Sequence, residues 1–219
     1  MQAPLTAHRP ALSARRLDGV LDWARMLSGL ALAAFMLGHA LLAASVLLGP
    51  AAMNAVAARL EASGAHQLGG PLIFLLFLAH FALVARKLPL RPEEQKTLWQ
   101  HARLIHHADT WLWLAQAATG AAILLMGAYH MWTVLADLPI TALKSTQALR
   151  TEPWLPGFYL LLAPLAHAPL GLGLYRIAVK WGFVGRTGRK GFKTFVTVLI
   201  LACVALSLAT LSRLWFLGA

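Results

Sequence analysis

Residues 26–48 read MLSGLALAAFMLGHALLAASVLL, a run that contains no charged side chain and one histidine, His39. About 20 helical residues are enough to cross the roughly 30 Å hydrocarbon core of a bilayer. The run is too long for the apolar part of a signal peptide, and Gly49 and Pro50 follow it in place of a small-residue cleavage site. The sequence therefore predicts a first transmembrane helix here.

The rest of the chain has the same character. Of its 219 residues, 59% are hydrophobic and 12% are charged, and the mean hydropathy is +0.65. Soluble domains do not have this composition. Five stretches are predicted to span the membrane: 24–48, 70–88, 109–135, 154–180 and 192–214. Because nearly every residue falls in a span or a short connection, we expect one all-α membrane domain over residues 1–219, without a soluble catalytic module.

The net charge of +11 would suit a nucleic-acid-binding protein, but its distribution indicates another origin. With the connections numbered alternately, 15 of the 19 Lys and Arg fall on one side: Arg9, Arg15, Arg16, Arg25, Arg86, Lys87, Arg91, Lys96, Arg103, Arg176, Lys180, Arg186, Arg189, Lys190 and Lys193. This is the positive-inside bias. We expect the N-terminus in the bacterial cytoplasm, the C-terminus outside the inner membrane, and no nucleic-acid partner. The basic loops suit lipid headgroups; a docking surface for a cytoplasmic partner is the second interpretation.

Each of the first four predicted spans contains one central histidine: His39, His80, His130 and His167. An imidazole in hydrocarbon costs free energy unless it is satisfied, so these are candidate functional residues. The iron of a six-coordinate haem takes one imidazole from each side. Four histidines on four helices therefore predict two haems in a four-helix bundle, with the fifth helix, which lacks such a histidine, packed outside.

The predicted depth of each histidine in the membrane indicates which two of them lie at the same level. With the predicted topology and a rise of about 1.5 Å per residue, His39 and His130 share an outer level. His80 and His167 share a level further in. The sequence therefore predicts two stacked haems.

Several collinear segments carry a resemblance to a known family. They are GHALLAASVLLGP at 38–50, AHFALVARKLP at 79–89, HADTWLWLAQAATG at 107–120, GAYHMW at 127–132 and LYRIAVKWG at 174–182. Over residues 21–184 the chain resembles the cytochrome b subunit of dihaem succinate:quinone oxidoreductases, most closely the menaquinol:fumarate reductases of anaerobic bacteria.

The resemblance implies five membrane helices, two haems b and electron transfer from menaquinol in anaerobic respiration. It implies a flavoprotein and an iron–sulfur subunit docked on the cytoplasmic side, where fumarate would be reduced; a dimer of such complexes is left open. It also implies that His39 and His130 bind the haem far from the docking face, and His80 and His167 the near one.

Glu61 is the candidate catalytic residue. In the family, a glutamate in the first outer connection accepts protons from menaquinol, and counting on from His39 without a gap places it at Glu61. Glu61 is also the only carboxylate in that connection, and quinol oxidation needs a base within hydrogen-bond reach. A solvated loop glutamate paired with Arg59 is the alternative.

The fourth span departs from the family. Close relatives have a glutamate two residues before the histidine ligand of this helix, whereas Leu165 stands two residues before His167. Counting back from Leu174 instead places His167 on the glutamate position and Pro169 on the ligand position. Because proline cannot bind iron and no other histidine lies in this helix, the sequence favours His167 as the ligand.

Three other functions remain in view. A succinate dehydrogenase anchor would run the same electron path in reverse, and a hydrogenase- or formate-dehydrogenase-type cytochrome b would serve a different partner. The ARKLP and LYRIAVKWG segments argue against the second. A non-redox transporter would show inverted repeats or broken helices, and neither is evident in the sequence.

Overall fold

The computed structural model describes residues 12–89 and 91–217, so Arg9 of the N-terminal basic group lies outside the described residues. The described chain folds into eight α-helices and two short 3-10 turns, at Ser45–Leu48 and Arg186–Gly188, without strands. The helices are α1 Leu12–Ala44, α2 Pro50–Ala62, α3 Ala65–Ala85, α4 Pro92–Ile105, α5 Ala108–Ala136, α6 Ala142–Thr151, α7 Leu155–Lys180 and α8 Arg189–Phe216.

Five of these helices, α1, α3, α5, α7 and α8, are long and apolar enough to cross a membrane, which confirms the predicted number of spans. The largest difference in bounds is at α1, which begins at Leu12 and not near residue 24. Hydropathy identifies only the part of a helix that suits hydrocarbon. The residues before this part include arginines and leucines, which are good helix formers, so the helix continues beyond the apolar part.

The first four spanning helices form a ring in which α1 contacts α3, α3 contacts α5, α5 contacts α7, and α7 returns to α1. The fifth, α8, packs mainly against α7 and α1. Gly171 allows the close approach of α7 to α8, since a Cβ there would lie 3.1 Å from Cγ1 of Val196 and closer still to Ile200. The predicted bundle of four helices with an outer fifth helix is therefore the observed one.

The short helices α2 and α6 cover one end of the bundle. The Asn54 side chain of α2 accepts a hydrogen bond from the Ala142 amide at 2.9 Å, which joins α2 to the start of α6. From α6, the Thr146 hydroxyl donates to the Leu214 carbonyl at 3.0 Å, and Arg150 donates to the Trp215 carbonyl at 3.0 Å. These bonds tie α6 to carbonyls in the last turn of α8, where helical partners are few.

At the other end, Asp22 connects two spanning helices. Its carboxylate lies 2.9 Å from Arg25 within α1 and 2.7 Å from Lys180 at the end of α7. The Trp23 and Trp181 rings pack beside this group with centroids 4.3 Å apart. Aromatic and cationic side chains of this kind are common where a helix leaves the hydrocarbon.

The contact at Gly171 generates a first prediction. Gly171→Ala should lower the thermal stability of the protein in detergent, because overfilling a packed site costs about 1–3 kcal/mol. Gly157→Ala, on the same helix but with no atom within 4 Å of the added Cβ, is the matched control and should be neutral or slightly stabilising. Equal midpoints for the two variants would show that α7 and α8 are not in close contact at this position.

Candidate cofactor site

The ring of helices encloses a cavity of about 1890 Å³ that is lined mainly by apolar side chains. Single ligand pockets in proteins usually measure about 300–1000 Å³, so this space is large enough for more than one cofactor. All four predicted histidines border it, one from each helix of the ring. Their surroundings nevertheless differ.

His39 of α1 and His130 of α5 face each other across the cavity. Their ring centroids are 5.9 Å apart. Metal–imidazole bonds in zinc sites are about 2.0–2.1 Å long, so two imidazoles on opposite faces of one metal ion have their nitrogens about 4 Å apart and their ring centres further. The observed separation of the ring centres is of the size that two imidazoles bound to one metal ion would have.

Two aromatic side chains hold this histidine pair. Phe35, one turn before His39, stacks on the His39 ring with centroids 5.7 Å apart. The Tyr159 hydroxyl of α7 lies 3.1 Å from Nδ1 of His130, which leaves Nε2 of that ring available. A hydrogen bond to the second ring nitrogen is the usual way in which a metal-binding histidine is oriented.

His80 of α3 is held by α1. Its Nδ1 lies 2.8 Å from the hydroxyl of Ser28, and that hydroxyl donates its own proton to the Arg25 carbonyl at 3.2 Å. A His80 ring that carries its proton on Nδ1 donates it to the Ser28 hydroxyl and has an unprotonated Nε2, which is able to bind a metal ion. Gly29 permits this contact, because a Cβ there would lie 3.1 Å from the His80 ring.

His167 of α7 has a different setting. Its Nε2 lies 2.9 Å from the Ser207 hydroxyl of α8, and the residue is only 3% exposed. Its Nδ1 is buried without a hydrogen-bond partner. In the described residues no hydrogen bond or ring contact joins His167 to His80. The histidine that interacts electrostatically with His167 is His39. The structure thus brings His39 and His130 together but does not do the same for the predicted inner pair.

Glu61 lies near the end of α2, on the side of the bundle where α5 ends. Its Oε1 accepts a hydrogen bond from the Ile140 amide at 2.7 Å, while Oε2 accepts none from the described residues. The side chain is half-buried, and Leu60 beside it lines the cavity. Glu61 is therefore anchored to the α5–α6 connection, and no ion pair with Arg59 is present in the described part of the chain.

The opposite end of the cavity is basic. Arg25 of α1 and Arg176 of α7 both line it and interact electrostatically, together with Asp109 at the start of α5. Arg176 is exposed and forms no ion pair within residues 12–89 and 91–217. This end suits the acidic groups of a cofactor, since guanidinium groups form strong charge-assisted hydrogen bonds with carboxylates.

Sequence reasoning missed the hydroxyl partners of the histidines: Ser28, Tyr159 and Ser207. Hydroxyl residues in membrane helices commonly bond to their own backbone, as Thr119 and Thr210 do here. Their presence in an apolar stretch therefore does not reveal which of them meets a histidine. Only Ser28 carries a sequence signal of such a contact. A glycine follows it directly and leaves room for a side chain from another helix.

Fold and site together define a helical membrane protein with a histidine-lined cavity inside a four-helix ring. Residues 92–209 match the family described as "Succinate dehydrogenase/Fumarate reductase transmembrane subunit". The chain is 31% identical over 213 residues to the "Fumarate reductase cytochrome b subunit" of Wolinella succinogenes, covering 92% of this chain and 83% of that protein. It is 32% identical over 200 residues to the protein of the same name from Helicobacter pylori strain J99, covering 87% and 78%. The chain belongs to this family of transmembrane subunits, as its motifs predicted.

The His39–His130 geometry generates a second prediction. If the two rings bind one haem, His39→Ala and His130→Ala should each remove or alter the same b-type absorption band, because both variants break the same six-coordinate iron. Reduced-minus-oxidised spectra of the purified protein measure this. His101→Ala, on the exposed surface of α4, is the control and should leave the spectrum unchanged. Different bands affected by the two cavity variants would contradict the pairing.

Proposed function

We propose that this chain is the dihaem cytochrome b subunit of a menaquinol:fumarate reductase. It oxidises menaquinol on the outer side of the bacterial inner membrane and passes the electrons inward. An iron–sulfur subunit and a flavoprotein subunit then carry them to fumarate. The observation that carries this proposal is the facing pair His39 and His130 in a chain of the succinate dehydrogenase and fumarate reductase family.

The donor groups fit haem at the outer level. His39 and His130 would both bind the haem iron, and the Tyr159 hydroxyl orients the His130 ring through Nδ1. At the inner level, His80 offers Nε2 while Ser28 holds the other side of its ring. Bound haem supplies one-electron transfer. The sequence assigns the opposite face of the inner haem to His167, whose Nε2 the structure places against Ser207 instead.

Arg25 and Arg176 are suited to bind the carboxylates of the inner haem. Both line the cavity close to the point where Asp22 of α1 and Lys180 of α7 pair. Their guanidinium groups would bind the acidic groups of a cofactor and so help to hold it at this end of the cavity.

Glu61 is proposed as the base that accepts protons from menaquinol. Oxidation of a quinol releases two protons with two electrons, so a carboxylate near the outer haem assists each step. The Ile140 amide holds Oε1, and Oε2 is left to take the proton. This arrangement fixes the carboxylate while keeping one oxygen available.

The basic end of the bundle is proposed to face the cytoplasm and the partner subunits. It carries Arg86, Lys87, Arg186, Arg189 and Lys190 around the ends of α3 and α7 and the start of α8. This charge agrees with the positive-inside rule. The same electron path run in reverse is a succinate dehydrogenase anchor, a direction that the family description also includes.

Purification of the chain with its partner subunits tests the proposal. We expect b-type haem in a reduced-minus-oxidised spectrum, a stoichiometry of two haems per chain, and fumarate reduction driven by a menaquinol analogue. Absence of haem would contradict the proposal, as would a haem-loaded complex that reduces fumarate only with artificial dyes.

Glu61→Gln gives the third prediction. The amide retains an oxygen for the Ile140 bond but cannot take up a proton, so menaquinol-driven turnover should fall by about 10²–10⁴-fold. Haem content and dye-driven fumarate reduction should not change. Glu93→Gln, on the exposed surface of α4, is the control and should retain turnover. Normal quinol turnover in Glu61→Gln would assign Glu61 a purely structural role at the α2–α5 connection.

A further inference from the structure

We infer that an anionic phospholipid binds in a second, smaller space, which lies outside the ring between α4 and the neighbouring parts of α3 and α5. This space, the α4 crevice, has a volume of about 300 Å³. Its lining includes Leu88, Leu98, Trp99, Trp113, Leu114 and Ala117. A lipid there would bind the chain with or without its cofactors, so the inference stands apart from the proposed function.

The depth of the α4 crevice suits an acyl chain. α5 begins at Ala108, and Leu114 and Ala117 of the crevice lie six and nine residues further along. At a rise of about 1.5 Å per residue, they are roughly 9 and 14 Å from the start of the helix. Because α5 is long and apolar enough to cross a membrane, the crevice lies beside a membrane-spanning helix. A water-soluble partner protein does not reach this depth, whereas the acyl chain of a lipid does.

The walls of the α4 crevice are mainly apolar and aromatic. Leu98 and Trp99 of α4 contribute to them, as do Trp113 and Leu114 of α5. Trp99 also packs edge-on against Trp111, with ring centroids 5.3 Å apart, and both rings are exposed. Tryptophan is enriched at the boundary between membrane and water, where its ring lies at the level of the lipid headgroups. The two exposed rings therefore indicate that the crevice opens at headgroup level.

Two cations lie beside Trp99 and fit the headgroup of an anionic lipid. Cζ of Arg103 is 5.3 Å from the centroid of the Trp99 ring, and Lys96 precedes Trp99 by three residues and so lies on the same side of α4. Both cations are exposed, and neither forms an ion pair among the described residues. The carboxylates of α4, Glu93 and Glu94, are in its first turn, about 120–140° around the helix from Trp99. Basic pockets of this kind at the cytoplasmic ends of membrane helices bind anionic headgroups.

The α4 crevice and the central cavity share part of their walls. Leu88, Trp113 and Ala117 line both spaces. All three are partly exposed, so the wall between the two spaces is thin at this point. An acyl chain in the crevice would cover this thin part of the wall, between the end of α3 and the first turns of α5. The lipid would thereby complete the side of the bundle that α4 only partly covers.

Lipid retention by the full-length protein tests the inference. After release from nanodiscs that contain equal amounts of phosphatidylglycerol and phosphatidylcholine, we expect native mass spectrometry to show one retained phosphatidylglycerol per chain. Lys96→Gln combined with Arg103→Gln should weaken phosphatidylglycerol binding by about 30-fold, because each Lys or Arg near an anionic lipid contributes about fivefold in affinity. Arg16→Gln combined with Lys193→Gln removes the same charge from the starts of α1 and α8, and is the matched control that should retain the affinity.

A second pair of variants tests the apolar part of the site. Leu98→Trp places a larger side chain in the crevice and should reduce lipid retention while leaving both cations in place. Leu104→Trp makes the same substitution on the same helix at a position that is 79% exposed, and should retain the lipid. A phosphatidylglycerol with a photoreactive group on its acyl chain should crosslink to residues of α4 and of the first turns of α5.

Several results would overturn the inference. Equal retention of phosphatidylcholine, or retention that neither the cation variant nor Leu98→Trp reduces, would show that no specific lipid site exists here. Crosslinks confined to residues outside 88–117 would place the lipid elsewhere. Retention of added menaquinone in place of phosphatidylglycerol would assign the crevice to a quinone, and displacement of the lipid by partner subunits would assign it to a protein interface. None of these results bears on haem binding or on quinol oxidation.

Discussion

An imidazole inside hydrocarbon must find a polar partner, and much of the interior of this protein is arranged around that requirement. Three of the four central histidines obtain a hydroxyl from a neighbouring helix: Tyr159 for His130, Ser28 for His80 and Ser207 for His167. His39 instead packs between Phe35 and the ring of His130. Because each partner comes from a different helix, meeting this requirement also sets how those helices are rotated against one another.

Close approach of the helices makes these contacts possible. Gly29 lets α1 reach His80, and Gly171 lets α7 lie against α8. The same ring of helices nevertheless leaves a cavity of about 1890 Å³ at its centre. A helix bundle that holds a large, flat cofactor needs space at its centre. It also needs dense packing where neighbouring helices meet, so that it remains a stable membrane protein.

The two ends of the bundle have different chemistry. One end carries Arg25, Arg176 and Lys180, with Asp22 joining α1 to α7. The other end is covered by α2 and α6 and places Glu61 against the Ile140 amide. In the proposed function the carboxylate end accepts protons from the quinol, and the basic end binds acidic cofactor groups and a partner protein.

Five apolar stretches, their lengths and one histidine in each of the first four were readable in the sequence because hydrophobic periods and spans are local properties. The extension of α1 back to Leu12 was not, since polar helix formers outside hydrocarbon leave no hydropathy signal. The family motifs around His39, His80 and His130 were equally local.

The partner of each histidine was decided by tertiary structure. His167 shows the reason: its position in α7 is evident from the chain, but its contact with Ser207 depends on the approach of α8. Sequence alone therefore determined which helices exist and which polar residues they carry into the membrane. Only the packing of α7 against α8 decided that His167 meets Ser207, because side-chain contacts between helices depend on rotations that no single helix specifies.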